Sequence, residues 1–226
     1  RFSLFTKITT STYLFLFIVG VLAILLFEHN HAFKGLSWHQ SLFYSLFQSA
    51  TTRSAGLQTI DVTTLSDPTN IIMGILMFIG SSPSSVGGGI RTTTFAILIL
   101  FLINFSNNAD KTSIKVYNRE VHIMDIQRSF AVFTMATILT FLGMLIISAT
   151  ENGKLTFLQV FFEVMSAFGT CGLSLGVTSD ISDISKVVLM VLMFIGRVGL
   201  ISFIIMIAGR REPDKFHYPK ERIQIG

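Results

Sequence analysis

Apolar positions in this chain fall in long unbroken runs, with no strand-like alternation. Ile8–Phe27 carries no charge over about 20 residues, roughly 30 Å as a helix and enough to cross a bilayer. Phe130–Ala149 repeats that pattern, and Val187–Ala208 predicts a third long span with Arg197 near its midpoint. Two other apolar runs are too short to cross. Trp38–Ala50 and Phe157–Ala167 each predict a helix of at most about 20 Å, half a membrane. Each ends in a turn of small residues, Thr51–Gly56 (TTRSAG) and Phe168–Gly176. A further segment is interrupted. Ile71–Ile79 runs into Gly80–Gly89 (GSSPSSVGGG) and resumes as Ile90–Phe105. Pro83 and the glycine triplet break a helix. Non-helical backbone at membrane depth survives only where it is buried in protein or lines a wet cavity, so the break predicts a pore or transport path beside it.

The pattern occurs twice. Phe43–Leu57 (FYSLFQSATTRSAGL) and Phe161–Leu173 (FFEVMSAFGTCGL) both pass from aromatic residues through Ser-Ala to a turn ending Gly-Leu. From Gly56 to Met77-Phe78-Ile79-Gly80 is 21 positions, and from Gly172 to Met193-Phe194-Ile195-Gly196 is again 21. This predicts an internal duplication. The units are a first membrane repeat, 1–105, a loop, 106–128, a second repeat, 129–209, and a tail, 210–226.

Composition agrees with a membrane protein. Of 226 residues, half are hydrophobic, only 13% are charged, and 22 are Phe. The net charge of +4 would suit nucleic acid, but its placement beside the spans points to membrane topology. The N-terminus, the loop 106–128 and the tail hold eleven Lys and Arg, and the opposite surface holds Lys34, Lys154 and Lys186. The positive-inside rule puts the first set in the cytoplasm of a multi-pass plasma-membrane protein, with each short helix re-entering from outside. Cys171 is the single cysteine, so no intrachain disulfide forms. His29, His31, His39, His122 and His217 show no metal-ligand spacing. No Ser-His, paired-carboxylate or GxSxG pattern lies in the spans, which argues against an enzyme. Gly89 is followed by Ile90-Arg91, so the Gly-Lys-Ser/Thr of a phosphate loop is absent.

A half-helix followed by a glycine turn is how cation channels build a filter, aiming backbone carbonyls at an axis where they replace the ion's water. Successive carbonyls on one side need backbone angles that a Cβ disfavours, and Gly56 and Gly172 meet that need. Arg53 either faces the axis and deters cations or points away, with Glu163 as a candidate partner. Glu163 is otherwise a carboxylate tied to amides behind its own turn.

At TTRSAGL, MFIGSSPSSVGGGIRTTT, FEVMSAFGTCGLS and MFIGRVGLISF the chain resembles the Trk/Ktr/HKT potassium transporters, most nearly the Ktr-type membrane subunit, over nearly its whole length. The resemblance implies an all-α integral membrane fold of helix–pore loop–helix repeats around a pseudo-fourfold pore. This chain matches the third and fourth repeats, with the other two preceding Arg1 or coming from a second chain. It implies filter residues Thr52, Arg53, Ser54, Ala55 and Gly56, with Gly169, Thr170, Cys171 and Gly172, supported by Glu163. It implies a gate of Ser84, Ser85, Gly87, Gly88, Gly89 and Arg197, the arginine held by carbonyls of the loop 80–89. Cys171 and Ser82 depart from the residues common there. The resemblance further implies K+ as the transported ion, with Na+ possible, no organic cofactor, a homodimer in the lipid bilayer, and RCK-type (KtrA-like) nucleotide-binding regulatory subunits in the cytoplasm. An alternating-access secondary transporter is the rival reading, although its repeats are usually inverted and these run the same way.

Overall fold

The computed structural model describes residues 3–83, 85–107, 115–116, 119–200 and 202–203. Ser84 of the expected gate, residues 108–114 and 117–118 of the loop 106–128, and the tail lie outside them. The described residues form α1 (Leu4–Glu28), α2 (Trp38–Thr51), a 3-10 turn at Val62–Thr64, α3 (Asp67–Phe78), α4 (Thr92–Asn107), a two-stranded antiparallel ladder of β1 (Lys115–Val116) and β2 (Arg119–Glu120), α5 (Ile123–Thr150), α6 (Phe157–Gly169) and α7 (Asp183–Val198).

The long helices are α1 and α5, 25 and 28 residues, both long and apolar enough to cross a membrane. Their apolar side chains face outward, with Phe15 and Leu26 of α1 and Phe141 and Leu145 of α5 exposed. An outward apolar surface is costly in water and suited to lipid. α5 begins at Ile123, earlier than the expected Phe130, which places Arg128 within the helix.

The half-helices start where their capping boxes put them. Gln40 Oε1 accepts the Ser37 N–H at 3.0 Å, and Gln159 Oε1 accepts the Thr156 N–H at 2.9 Å. The inner helix α6 packs on α3, α5 and α7, and every residue from Phe162 to Gly169 is buried. α2 packs on α1, and α4 on α1 and α5. Phe162 joins Met73, Met77 and Leu173 in one core, and Phe168 joins Ile90, Ala136 and Ile195 in another. Both of these cores are thus built around α6, the helix that carries the second turn.

The interrupted segment breaks as its sequence predicts. α3 stops at Phe78 and α4 begins at Thr92. The expected unbroken span 187–208 does not form. Gly199, at φ 89°, ends α7 with its N–H on the Ile195 carbonyl, and the chain turns helical again at Leu200. Glycine takes that φ without a Cβ penalty. Arg197 therefore sits in the last turn of α7 and not at the middle of a helix.

Candidate functional site

The two turns meet. The Ser54 hydroxyl donates to the Thr170 carbonyl at 3.2 Å across 116 positions, the offset of the repeat. The Cys171 thiol donates to the Thr51 carbonyl at 3.2 Å. A Cβ on Gly56 would collide with the Cys171 carbonyl oxygen. Backbone lies against backbone here, which only glycine permits.

The backbone conformations match at the same offset. Ser54 and Gly56 have φ of 88° and 67°, and Thr170 and Gly172 have 49° and 95°. Two of the four are not glycine. Such a residue costs on the order of 1–3 kcal/mol and persists where its surroundings force it, commonly at functional sites. Among the described residues, no hydrogen bond ends on the carbonyls of Thr52, Arg53, Ser54, Ala55, Gly56, Cys171 or Gly172. These oxygens remain available to water or a cation.

Different devices hold the turns. In the first, the Thr51 hydroxyl donates to the Leu57 carbonyl at 2.6 Å and accepts its N–H at 2.9 Å. Thr52 is buried, its hydroxyl on the Ser49 carbonyl at 2.7 Å. Behind the second turn, the Glu163 carboxylate accepts from the Ser174 hydroxyl, the Leu175 N–H at 3.0 Å and the Thr178 hydroxyl at 2.9 Å. The expected Arg53–Glu163 pair is absent. Arg53 Nη1 donates to the carbonyls of Ile79 and Gly80, both at 3.1 Å, and the guanidinium lies over the Tyr13 ring.

The loop 80–89 lies directly against both turns. The Gly88 N–H donates to Thr170 Oγ1 at 2.8 Å. A Cβ on Gly87 would crowd Ser54 at 2.9 Å, and one on Gly88 would crowd Thr170 at 2.8 Å and the Gly196 carbonyl at 3.1 Å. The loop's neck is closed by the Ile90 N–H on the Phe78 carbonyl at 3.0 Å, and Gly89 takes φ 77°. Ser85 is exposed and caps the Ser82 carbonyl. The loop's carbonyls are held by Arg91, whose Nη1 donates to Gly87 at 3.0 Å and to Ser82 and Ser85 at 3.4 Å. Arg197, expected in that role, is exposed and bonds to none of the described residues. The Gly199 break ends its helix one residue after Arg197, where a continuous span would have carried on.

Sequence reasoning missed a pair of carboxylates. Glu28, at the end of α1, accepts the Ser66 N–H at 2.8 Å and the Ser66 hydroxyl at 2.6 Å. Glu151, just past α5, accepts the Ser182 N–H and hydroxyl, both at 2.8 Å, and the Ser185 hydroxyl at 2.6 Å. Ser66 and Ser182 are the N-caps of α3 and α7. Each repeat thus ties the end of its long helix to the start of its last. The Ser185 hydroxyl, then the Ser182 N–H and hydroxyl, hold the Glu151 carboxyl down at about 2. The Ser-Asp pairs 66–67 and 182–183, one repeat apart, were the available signal.

The model of the TrkH family, cation transport protein, matches residues 1–217. The chain is 52% identical over 225 residues to Ktr system potassium uptake protein D of Bacillus subtilis (strain 168), covering 100% of this chain and 49% of that protein. It is 34% identical over 223 residues to Ktr system potassium uptake protein B of Vibrio alginolyticus, covering 98% and 48%. Its fold is similar to the crystal structure of the potassium transporter TrkH from Vibrio parahaemolyticus, with TM-score 0.73, 22% identity, and coverage of 88% of this chain and 44% of that one. The chain spans about half the length of the curated relatives it matches. It is an all-α membrane chain, and it belongs to the TrkH family of cation transport proteins.

Proposed function

We propose that this chain supplies two quadrants of a potassium-conducting pore, with the turns 52–56 and 169–172 as filter walls and the loop 80–89 as the gate beneath them. The observation that carries this reading is the matched alternation of positive φ at Ser54 and Gly56 and at Thr170 and Gly172 in two turns that touch. In a strand, successive carbonyls point to opposite sides. A positive φ at every second residue brings them to one side, the arrangement that replaces an ion's hydration shell. The contacts of Gly87 and Gly88 with Ser54 and Thr170 support a gate directly against the filter.

In this reading K+ enters from the surface that carries Glu28 and Glu151, and Na+ passes where a filter glycine is replaced by serine. The N-terminus, the loop 106–128 and the tail face the cytoplasm, where RCK-type nucleotide-binding subunits dock on a homodimer. The test is Rb+ and Na+ uptake by the full-length protein in bacteria lacking their own K+ uptake. Downhill Rb+ flux without a coupled ion, shifted toward Na+ by Gly56→Ser or Gly172→Ser, is expected. A fixed stoichiometry with a second ion would favour alternating access and overturn the pore.

A further inference from the structure

We propose that Arg53 is a positioning residue that couples the first turn to the neck of the intramembrane loop, so that a change at one is transmitted to the other. The proposal rests on the filter-and-gate reading above. The side chain leaves the turn and ends on the carbonyls just past α3, Ile79 and Gly80. Those carbonyls lie where intrahelical donors run out and the helix dipole is negative, a favourable seat for a cation. Arg53 is only 8% exposed, so its two bonds are not traded freely for water. Gly80 is engaged twice. Its carbonyl accepts from Arg53, and its Cα lies against the Gly88 carbonyl, where a Cβ would collide. Arg53 therefore grips the point where the outgoing and returning limbs of the loop touch.

The other repeat shows why this arm is one-sided. The position one repeat further on is Gly169, and a Cβ there would collide with the Met77 carbonyl. No side chain fits behind the second turn at that place. The end of α3 is thus held from two directions, by the Arg53 side chain and by the Gly169 backbone. The arginine occurs only in the repeat whose last helix is interrupted by the loop. An arginine fixed to two carbonyls moves them with its own backbone, and its neighbour Ser54 touches Gly87. Ion occupancy of the turn and the posture of the loop are joined through this side chain.

The test uses the full-length protein in lipid nanodiscs with Ser81→Cys as reporter, since Ser81 is 6% exposed and reacts only when the loop opens. Labelling by a small methanethiosulfonate is timed in K+ and in N-methylglucamine, with the parent's Cys171 reactivity subtracted. Losing a buried charge-assisted pair makes Arg53→Met label at least about tenfold faster, with no K+ dependence. The reporter protein that keeps Arg53 labels at least about threefold more slowly in K+ than in N-methylglucamine, and Arg53→Lys lies between. Equal rates and an equal K+ response in the reporter protein and its Arg53→Met variant would overturn the proposal, as would a reporter protein with no K+ response. If Arg53→Met is not recovered folded, Arg53→Lys decides alone. A rise of at least about threefold supports the arm, and an unchanged rate sinks it. Rb+ flux is measured separately, so a protein that labels as expected but carries no flux counts against the pore and not against the coupling.

Discussion

The two turns reach the same backbone conformation by different means. The first is exposed at Ala55, clasped by the neutral Thr51 hydroxyl, and linked to the loop 80–89 by Arg53. The second follows a helix buried along its last eight residues and is tied to the chain beyond it by the Glu163 carboxylate. Position 47, the counterpart of Glu163, is Phe, and position 169, the counterpart of Arg53, is Gly. The first turn is anchored toward the loop and the second toward the segment 174–178. The geometry is shared, while the supports are fitted to each repeat's surroundings.

Substitution can break this comparison, and the largest effect falls on the glycines. Gly56→Ala meets both a φ of 67° and the Cys171 carbonyl, whereas Gly172→Ala meets the φ of 95° with its nearest neighbour, the Gly56 Cα, at 3.8 Å. Strain alone costs about 1–2 kcal/mol. Rb+ uptake is expected to vanish in Gly56→Ala and to persist, reduced, in Gly172→Ala; the reverse order would show that the close approach is not what Gly56 serves.

Next in size is Glu163→Gln. It replaces charge-assisted acceptance from three donors, at about 1.5–3 kcal/mol for a bond to a charged group. Thermal unfolding in detergent should fall by several degrees, together with K+/Na+ discrimination. Thr51→Val removes the hydroxyl bridge to Leu57 at a net cost of about 1 kcal/mol. Its melting point should fall less than that of Glu163→Gln, and a larger fall would remove the ranking of the two supports.

The smallest expected effect is that of pH on the Glu151 tie between α5 and α7. Glu151 is held at about 2, below the ordinary carboxylate value of about 4.3. A depressed folded value contributes stability that is complete above the unfolded value and is lost as pH falls through the folded one. Stability from this group is therefore flat from pH 8 to about 5 and declines only between about 4.3 and 2. Melting points measured across that range with Glu151→Gln as reference test it, and a midpoint of decline near pH 6 would contradict the assignment.

Much of the fold was legible before any coordinates. The half-helices were readable because their apolar runs are short and end in small residues. The break at 80–89 was readable because Pro83 and three glycines cannot continue a helix. Partners were not. Arg53 finds carbonyls 26 and 27 positions away, and carbonyls carry no sequence signature. Arg91 was read only as the residue that spoils a phosphate-loop motif, yet it braces the loop. Arg197 was misplaced because an apolar run conceals the stop at Gly199. The roles of Glu28 and Glu151 were hidden because their serines lie 38 and 31 positions on.

The membrane class, the two repeats, the half-membrane length of the short helices and the glycines at the turns are all written in the order of residues along the chain. Those properties follow from local apolar length, helix capping and the absence of a Cβ. That the two turns touch, that the loop lies against Ser54 and Thr170, and which buried charge faces which carbonyl all depend on how the chain packs. Such contacts join backbone groups far apart in the chain, and every residue carries the same backbone groups.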